Sequence, residues 1–490
     1  MDRKKRIEVC VVLITAVLSA FAVSCSQPGG PIYQARPDLS GGTVNDSNDL
    51  AGVTLDLSSS GGQTPCTGLQ CAIPSCTNGS TTSISGTVFD PAGNTPLYNV
   101  AVYIPNASLA NIPDGVDTTA QCTSCVAPLS GSPIVVGLTD AKGNFSLENV
   151  PAGSNIPLVM QTGKFRRQVT IPTVTACQNN TVGQKDSNGA EMLTRLPRNQ
   201  QEGHLPLIAI TTGGCDGLEC VVRTFGFDDA EFTTSTGSGR IHLFVGNGGG
   251  GAPGSTGDQT EAYQFWASND IYKYDMILNS CECSPYARDT YGPAYTNMET
   301  YLDHGGRLFT SHYQYNWFTD PQAPPEFKSA AQWTPDDGPS YPEPYYIDTS
   351  FGKGTAMDQW LQNLFASSGL PLGQIVLDDI DNDVAGVNPG TTRWIYNSSD
   401  GQPAAVGATN YTTNYLSFDT PFSSSTDMST TVQCGRAVFS DIHVSDGVIS
   451  TVFPSGCEQL TKEQQVTAFE FLFFDLGSCD MPTAVPPPIS

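Results

Sequence analysis

Gly305-Gly306-Arg307-Leu308-Phe309-Thr310-Ser311-His312-Tyr313 reads as a helix stop, a short apolar strand and a polar turn. Gly435-Arg436-Ala437-Val438-Phe439-Ser440-Asp441-Ile442-His443-Val444 is a second strand that runs out into a histidine. The chain has five histidines, and these two stand where strands end. Around them the pattern alternates. Strand candidates are Leu205–Thr211, Arg240–Val245, Tyr274–Asn279, Gly306–Ser311, Ile375–Leu377 and Arg436–Asp441. Helices are expected near Thr296–His304, Met357–Ser368 and Thr461–Leu476, the last with a core stripe of Val466, Phe469, Phe473 and Leu476. Another helix carries Leu218, Val221, Val222 and Phe225, with Asp216 as its expected cap and Glu219 completing a capping box. A strand–helix rhythm of this kind predicts a mostly parallel sheet covered on both faces. Ligands bind such sheets beyond the carboxyl ends of the strands.

That rule selects His312, His443, Asp441, Ser311 and Glu282 as candidates to converge on one cleft. Aspartate and histidine there suit a general base and its orienter, or ligands to a divalent metal. Ser311 beside His312 suggests a nucleophile pair, although neighbours on a turn rarely face each other. The plain alternative is a degenerate pocket in which both histidines are hydrogen-bonded at a domain seam. No cofactor is implied.

Tyr274-Asp275, the run Gly305 to His312 and the run Gly435 to His443 together resemble the class I glutamine amidotransferase-like fold, and within it the trehalose-utilisation (ThuA-like) family. The resemblance spans about 200–480, with unmatched insertions between Phe318 and Leu372. It implies a flavodoxin-like frame and, if active, a hydrolase or isomerase acting on a sugar or amide. Ser311-His312 fills the elbow where amidotransferases carry a nucleophilic cysteine, so thiolate chemistry is not expected. Cys281 and Cys283 read as a disulfide or packing pair, and Asp441-Ile442-His443 replaces the family's Gly-His.

Upstream, short alternating runs are joined by Asp/Asn/Gly turns. Ile84 to Asp90, Pro96 to Val102, Thr139 to Phe145 and Val150 to Gly153 resemble the carboxypeptidase regulatory-like domain, a transthyretin-like sandwich, over 83–175. This implies a spacer, with carbohydrate binding known among relatives of the fold. The expected fold is therefore α/β plus all-β: a small antiparallel β-sandwich followed by a mostly parallel three-layer α/β/α domain.

The N-terminus carries Arg3, Lys4, Lys5 and Arg6 before an apolar run, Val9 to Val23, and then Ser24-Cys25. Ala22-Val23-Ser24-Cys25 resembles the lipobox of bacterial lipoproteins, which implies cleavage after residue 24 and acylation of Cys25. Residues 25–65 then form a flexible tether, 66–82 a cysteine-rich segment and 481–490 a Pro-rich tail. This places the protein at the outer membrane, on the periplasmic face or the cell surface, held through its lipid.

With 22 Lys and Arg against 48 Asp and Glu, the net charge is −26, which argues against a nucleic-acid partner. Thirteen cysteines remain after Cys10 and Cys25. In an exported chain they read chiefly as disulfides, with close spacings at Cys66/Cys71, Cys122/Cys125 and Cys215/Cys220, and Cys76, Cys177, Cys434, Cys457 and Cys479 more isolated.

Other motifs weaken on inspection. Gly246 to Gly251 matches GxGxxG, but Ala252-Pro253-Gly254 follows where a helix is needed. Asp379, Asp381 and Asp383 open like a calcium loop, but Val384 and Gly390 occupy the positions that need Gly and Glu. Tyr313, Tyr315, Trp317 and Phe318 suit either sugar stacking or core packing. The leading expectation is a non-catalytic envelope lipoprotein that binds a ligand or scaffolds, with carbohydrate as one ligand class. The alternative is a hydrolase or isomerase working through the His/Asp pocket.

Overall fold

Short, partly buried strands make the first part of the folded chain into two sheets. A computed structural model describes residues 66–77, 79–119, 129–183, 194–286, 292–336, 338–423, 433–445 and 451–477. Cys25, Cys122, Cys125, Cys479, the tether and the Pro-rich tail lie outside these residues. The strands are β1 (Ser83–Thr87), β2 (Ala101–Pro105), β3 (Pro133–Leu138), β4 (Asn144–Glu148), β5 (Gly153–Thr162), β6 (Phe165–Val174), β7 (Asn179–Val182) and β8 (Gly203–His204). They form the sheets β4-β1-β7 and β3-β2-β5-β6-β8, antiparallel throughout except for the β1–β7 pair. Ile84, Val102, Leu147, Leu158 and Ile171 fill the core between them.

A third and larger sheet is built on continuous buried runs. Its strands are β9 (Ile208–Thr212), β10 (Phe232–Thr233), β11 (Ile241–Val245), β12 (Met276–Asn279) and β13 (Arg307–Ser311), later joined by β15 (Tyr345–Ile347), β16 (Gln374–Ile375), β18 (Thr391–Ser398), β19 (Tyr411–Thr420) and β20 (Gly435–Ser440). Every residue of β9, β11, β12, β13 and β20 is buried. That is the pattern of strands covered on both faces. Two further strands, β14 (Ala331–Trp333) and β17 (Val384–Val387), pair separately.

The ten strands run in the order β10-β11-β9-β12-β13-β20-β19-β18-β15-β16. From β10 to β20 every pairing is parallel; from β20 onward every pairing is antiparallel. The sheet is thus mixed where a mostly parallel one is expected, with four of its nine pairings antiparallel. Ile375–Leu377 is likewise no parallel strand: β16 is a two-residue antiparallel edge on β15. Within the parallel half, strand succession reverses between β9 and β12, the position where such sheets open a crevice.

The helix Gln464–Gly477 is buried nearly all round, and its aromatics join the two sheet systems. Phe473 and Phe474 pack on Phe165 of β6, Phe471 on Tyr98, and Phe469 on Phe309 of β13. Lys462, just before it, reaches Asp90 of the sandwich at 3.3 Å and Glu470 at 2.7 Å. Among the described residues no helix is long and apolar enough to cross a membrane.

Four disulfides join described residues, as expected of a chain matured in an oxidising compartment. Cys66–Cys71 is a local loop, and Cys76–Cys177 ties the cysteine-rich segment to the far end of the sandwich. Cys215 and Cys220 are not partners. Cys215 bonds Cys283, and Cys220 bonds Cys457, 237 residues away. Cys434 is also disulfide-bonded. Cys281 is a free, buried thiol, which overturns the disulfide half of the reading that pairs it with Cys283. Nor does Asp216 cap the helix Leu218–Thr224, whose cap is Gly217. Its carboxylate accepts instead from the amides of Val444 and Ser445, at 3.2 and 2.9 Å, and so fixes the turn after β20.

Candidate functional site

Three neighbouring parallel strands end side by side, and each delivers one side chain to a common point. Cys281 follows β12, His312 follows β13 and His443 follows β20. His443 Nε2 lies 3.3 Å from Cys281 Sγ and 2.8 Å from His312 Nδ1, which is itself 3.7 Å from the sulfur. The three side chains offer ligand atoms that all fall within 4.8 Å of one another.

The backbone holds this arrangement tightly. The Cys281 amide donates to Ser311 Oγ at 3.0 Å, and its carbonyl accepts from the Cys215 amide at 3.1 Å. A side chain at Gly213 would collide with that carbonyl, so only glycine lets β9 approach here. His312 takes φ +39° at the strand-to-turn elbow. Cys283, Asp336 and Asp379 also take positive φ around the site. Such backbone costs energy and persists where surrounding structure enforces it.

Carboxylates stand behind both imidazoles. Asp379 Oδ2 lies 2.6 Å from His443 Nδ1, and Asp381 Oδ2 lies 3.2 Å from His312 Nε2. The segment carrying them is pinned to the end of β20: the amide of Asp381 donates to the Asp441 carbonyl at 2.9 Å and that of His443 to the Asp379 carbonyl at 3.2 Å. Farther in, Asp383 Oδ2 lies 3.7 Å from His312 Nε2, and the Asp383 amide donates to Asp441 Oδ2 at 2.5 Å. Burial, then the charge of Asp383, pushes the Asp441 carboxyl well above the usual range; Asp383 is raised too, chiefly by burial. Burial also lifts Asp381 to about 6 and the Cys281 thiol to about 12. His312 is driven down to about 3 by burial, then by the charge of His443.

Of the residues selected from sequence, the structure brings His312 and His443 together. Asp441 sits one layer back, against Asp383. Ser311 is engaged with the Cys281 amide and hydrogen-bonds the Asp216 carboxylate, so it is no partner for His312. Glu282 is engaged elsewhere as well, accepting the Asn247 amide. Cys281, Asp379 and Asp381 complete the cluster; the sequence offers Cys281 only as a neighbour of Cys283, and the aspartates only as the start of an incomplete calcium loop. The elbow lacks a cysteine, as expected, yet a thiol stands one strand over. Tyr315, Trp317 and Phe318 are buried core, with Trp317 against Trp266 and Phe318 against Trp333.

Access is narrow. Cys281 is 0 %, His312 4 % and His443 7 % exposed, whereas the Asp379 and Asp381 side chains are 47 % and 38 % exposed at the rim.

No family model matches the chain, and no curated protein matches it. Among solved structures, similarity is found to a type II cohesin–X-dockerin complex from Acetivibrio cellulolyticus, a C-terminal interface mutant. The identity is 14 % over 32 % of this chain and 76 % of that one, with a TM-score of 0.14. BcpA, the major pilin subunit of Bacillus cereus, matches at 12 % identity over 24 % of this chain and 30 % of its own, TM-score 0.14. The dioxygenase domain of a dioxygenase–carbohydrate-binding protein fusion from Streptomyces sp. SirexAA-E matches at 19 % over 37 % and 85 %, TM-score 0.10. Superpositions of this quality say nothing about the site, whose own chemistry has to carry the functional reading.

Proposed function

We propose that the protein is a lipid-tethered envelope binding protein whose α/β domain holds a small ligand at the ends of β12, β13 and β20. In this reading Cys25 is the acylated anchor at the outer membrane, residues 26–65 are the tether, and the sandwich is a spacer. The α/β part takes a flavodoxin-like frame related to the ThuA-like proteins. One observation carries the binding role: a thiol and two imidazoles converge behind an acidic rim, yet are themselves 0 % to 7 % exposed. A polymer or bulky acyl donor cannot reach a sulfur so enclosed. Carbohydrate is one ligand class in keeping with the ThuA-like resemblance, which implies a sugar or an amide. The test is a ligand panel, glycans included, read by thermal shift and calorimetry on the purified protein and on His443→Gln. Ligand-induced stabilisation that disappears in the variant is expected; no stabilisation by any ligand sinks the proposal.

The Cys281–His443–Asp379 geometry favours a second reading, a thiol-dependent hydrolase. Sulfur, imidazole and carboxylate are spaced 3.3 and 2.6 Å apart, the order of nucleophile, base and orienter. Turnover of small ester or amide substrates that Cys281→Ser abolishes would establish it.

A further inference from the structure

We propose that Cys281, His312 and His443 bind a single transition-metal ion of mixed nitrogen and sulfur preference, with zinc(II) the first choice. This rests on reading the strand-end cluster as a binding site and names its ligand.

The first ground is distance. Three atoms separated by 2.8, 3.3 and 3.7 Å lie on a circle of radius about 1.9 Å, just inside the ~2.0–2.1 Å of a Zn–N bond and ~2.3 Å of a Zn–S bond. An ion slightly out of their plane reaches all three with small side-chain shifts.

The second ground is independent of distance. Each imidazole has a carboxylate on its far nitrogen, Asp379 on His443 Nδ1 and Asp381 on His312 Nε2. Carboxylates in that position hold the proton on the nitrogen they face and turn the other nitrogen's lone pair inward. His312 Nδ1 and His443 Nε2 then present lone pairs to each other at 2.8 Å, which is repulsive unless a cation sits between them and the sulfur. The carboxylate–histidine–metal arrangement is satisfied twice.

The third ground is redox. Cys281 is the free thiol among the described cysteines, adjoining the Cys215–Cys283 disulfide. Thiolate ligation accounts for a cysteine kept reduced in a disulfide-bearing chain. Binding releases the thiol proton to solvent and forms one Zn–S and two Zn–N bonds without electron transfer. Asp379 and Asp381, half-exposed at the rim, give the cation an anionic approach. Three protein ligands leave the fourth tetrahedral position to water or an added anion.

The full-length protein, stripped with a chelator, is titrated with zinc against a chromophoric competitor, and with cobalt(II) as a spectroscopic probe. One equivalent of zinc per chain is expected, with a thiolate-to-cobalt charge-transfer band that Cys281→Ser removes. Asp379→Asn keeps all three ligands and should weaken zinc binding roughly 10–100-fold. Circular dichroism checks the fold of each variant. If Cys281→Ser does not fold, the wild-type band and the Asp379→Asn affinity decide. Absence of stoichiometric zinc binding, a cobalt spectrum without thiolate character, or a band that survives in Cys281→Ser overturns the metal site. A glycan or other small ligand that binds metal-free protein and is lost in His443→Gln overturns the metal while leaving the binding role intact. No ligand of any kind overturns both.

Discussion

Cys281 shows how one side chain can change its meaning between sequence and space. Two residues from Cys283, it looks like half of a pair, but its neighbour is committed to Cys215 across the crevice. The sulfur is left facing two imidazoles with no exposed surface. The thiol should therefore resist alkylation in the folded protein and react once the chain is unfolded, as peptide mapping after maleimide treatment would show. Labelling of Cys281 at native rates would contradict the enclosed geometry. His312 and His443 were legible because each terminates a readable strand. Cys281 and Asp379 were not, because the signal that groups them is the adjacency of β12, β13 and β20, which no local spacing records.

At the scale of elements, the parallel strands announced themselves as apolar runs, since both their faces are covered. β18 and β19 gave no such signal. Tyr411-Thr412-Thr413-Asn414-Tyr415-Leu416-Ser417 is rich in hydroxyl and amide groups, yet the stretch is buried. Some of its polar atoms are paired in place: Thr412 donates to Asn397, and Ser417 accepts from the Trp394 indole at 2.8 Å, whereas Thr413 Oγ1 and Asn414 Oδ1 are buried without a hydrogen-bond partner. The closing helix, by contrast, was readable from its stripe, though not the breadth of its burial. Phe473 contacts Phe165, Phe225, Phe227 and Phe469 together. Phe473→Ala should cost about 3–5 kcal/mol, the range for emptying a phenylalanine site in a closed core. Chemical denaturation would measure it, and a loss under 1 kcal/mol would mean that the helix packs differently. Removing the Cys220–Cys457 link by double substitution to alanine should cost about 2–5 kcal/mol. That link ties the helix Leu218–Thr224 to the approach to the closing helix, and a lowered Tm would report its loss.

Across the whole molecule, Glu470, which faces Lys462 where the sandwich meets the α/β part, makes stability depend on pH. Burial pushes Glu470 up to about 8, with Lys462 opposing and Asp90 adding to the rise. The folded state thus binds a proton that the unfolded chain, with a carboxyl near pH ~4.3, has already released. Stability from this group is complete below the unfolded value and falls as pH rises towards about 8. Glu470→Gln should flatten that slope and raise the melting temperature above pH 8 relative to the parent, as calorimetry from pH 5 to 9 would show. An unchanged slope would mean that water reaches the carboxyl.

The aromatic helix 464–477 lies C-terminal to every strand it covers. In a chain delivered N-terminus first, the sandwich therefore arrives long before the residues that shelter Phe165, and the sheet before the residues that shelter Phe309. Until that helix arrives, each partly delivered chain lacks the cover for an aromatic face. A holdase escort, or a chain kept slack until its last segment arrives, is the biosynthetic cost of joining two layers with their final helix.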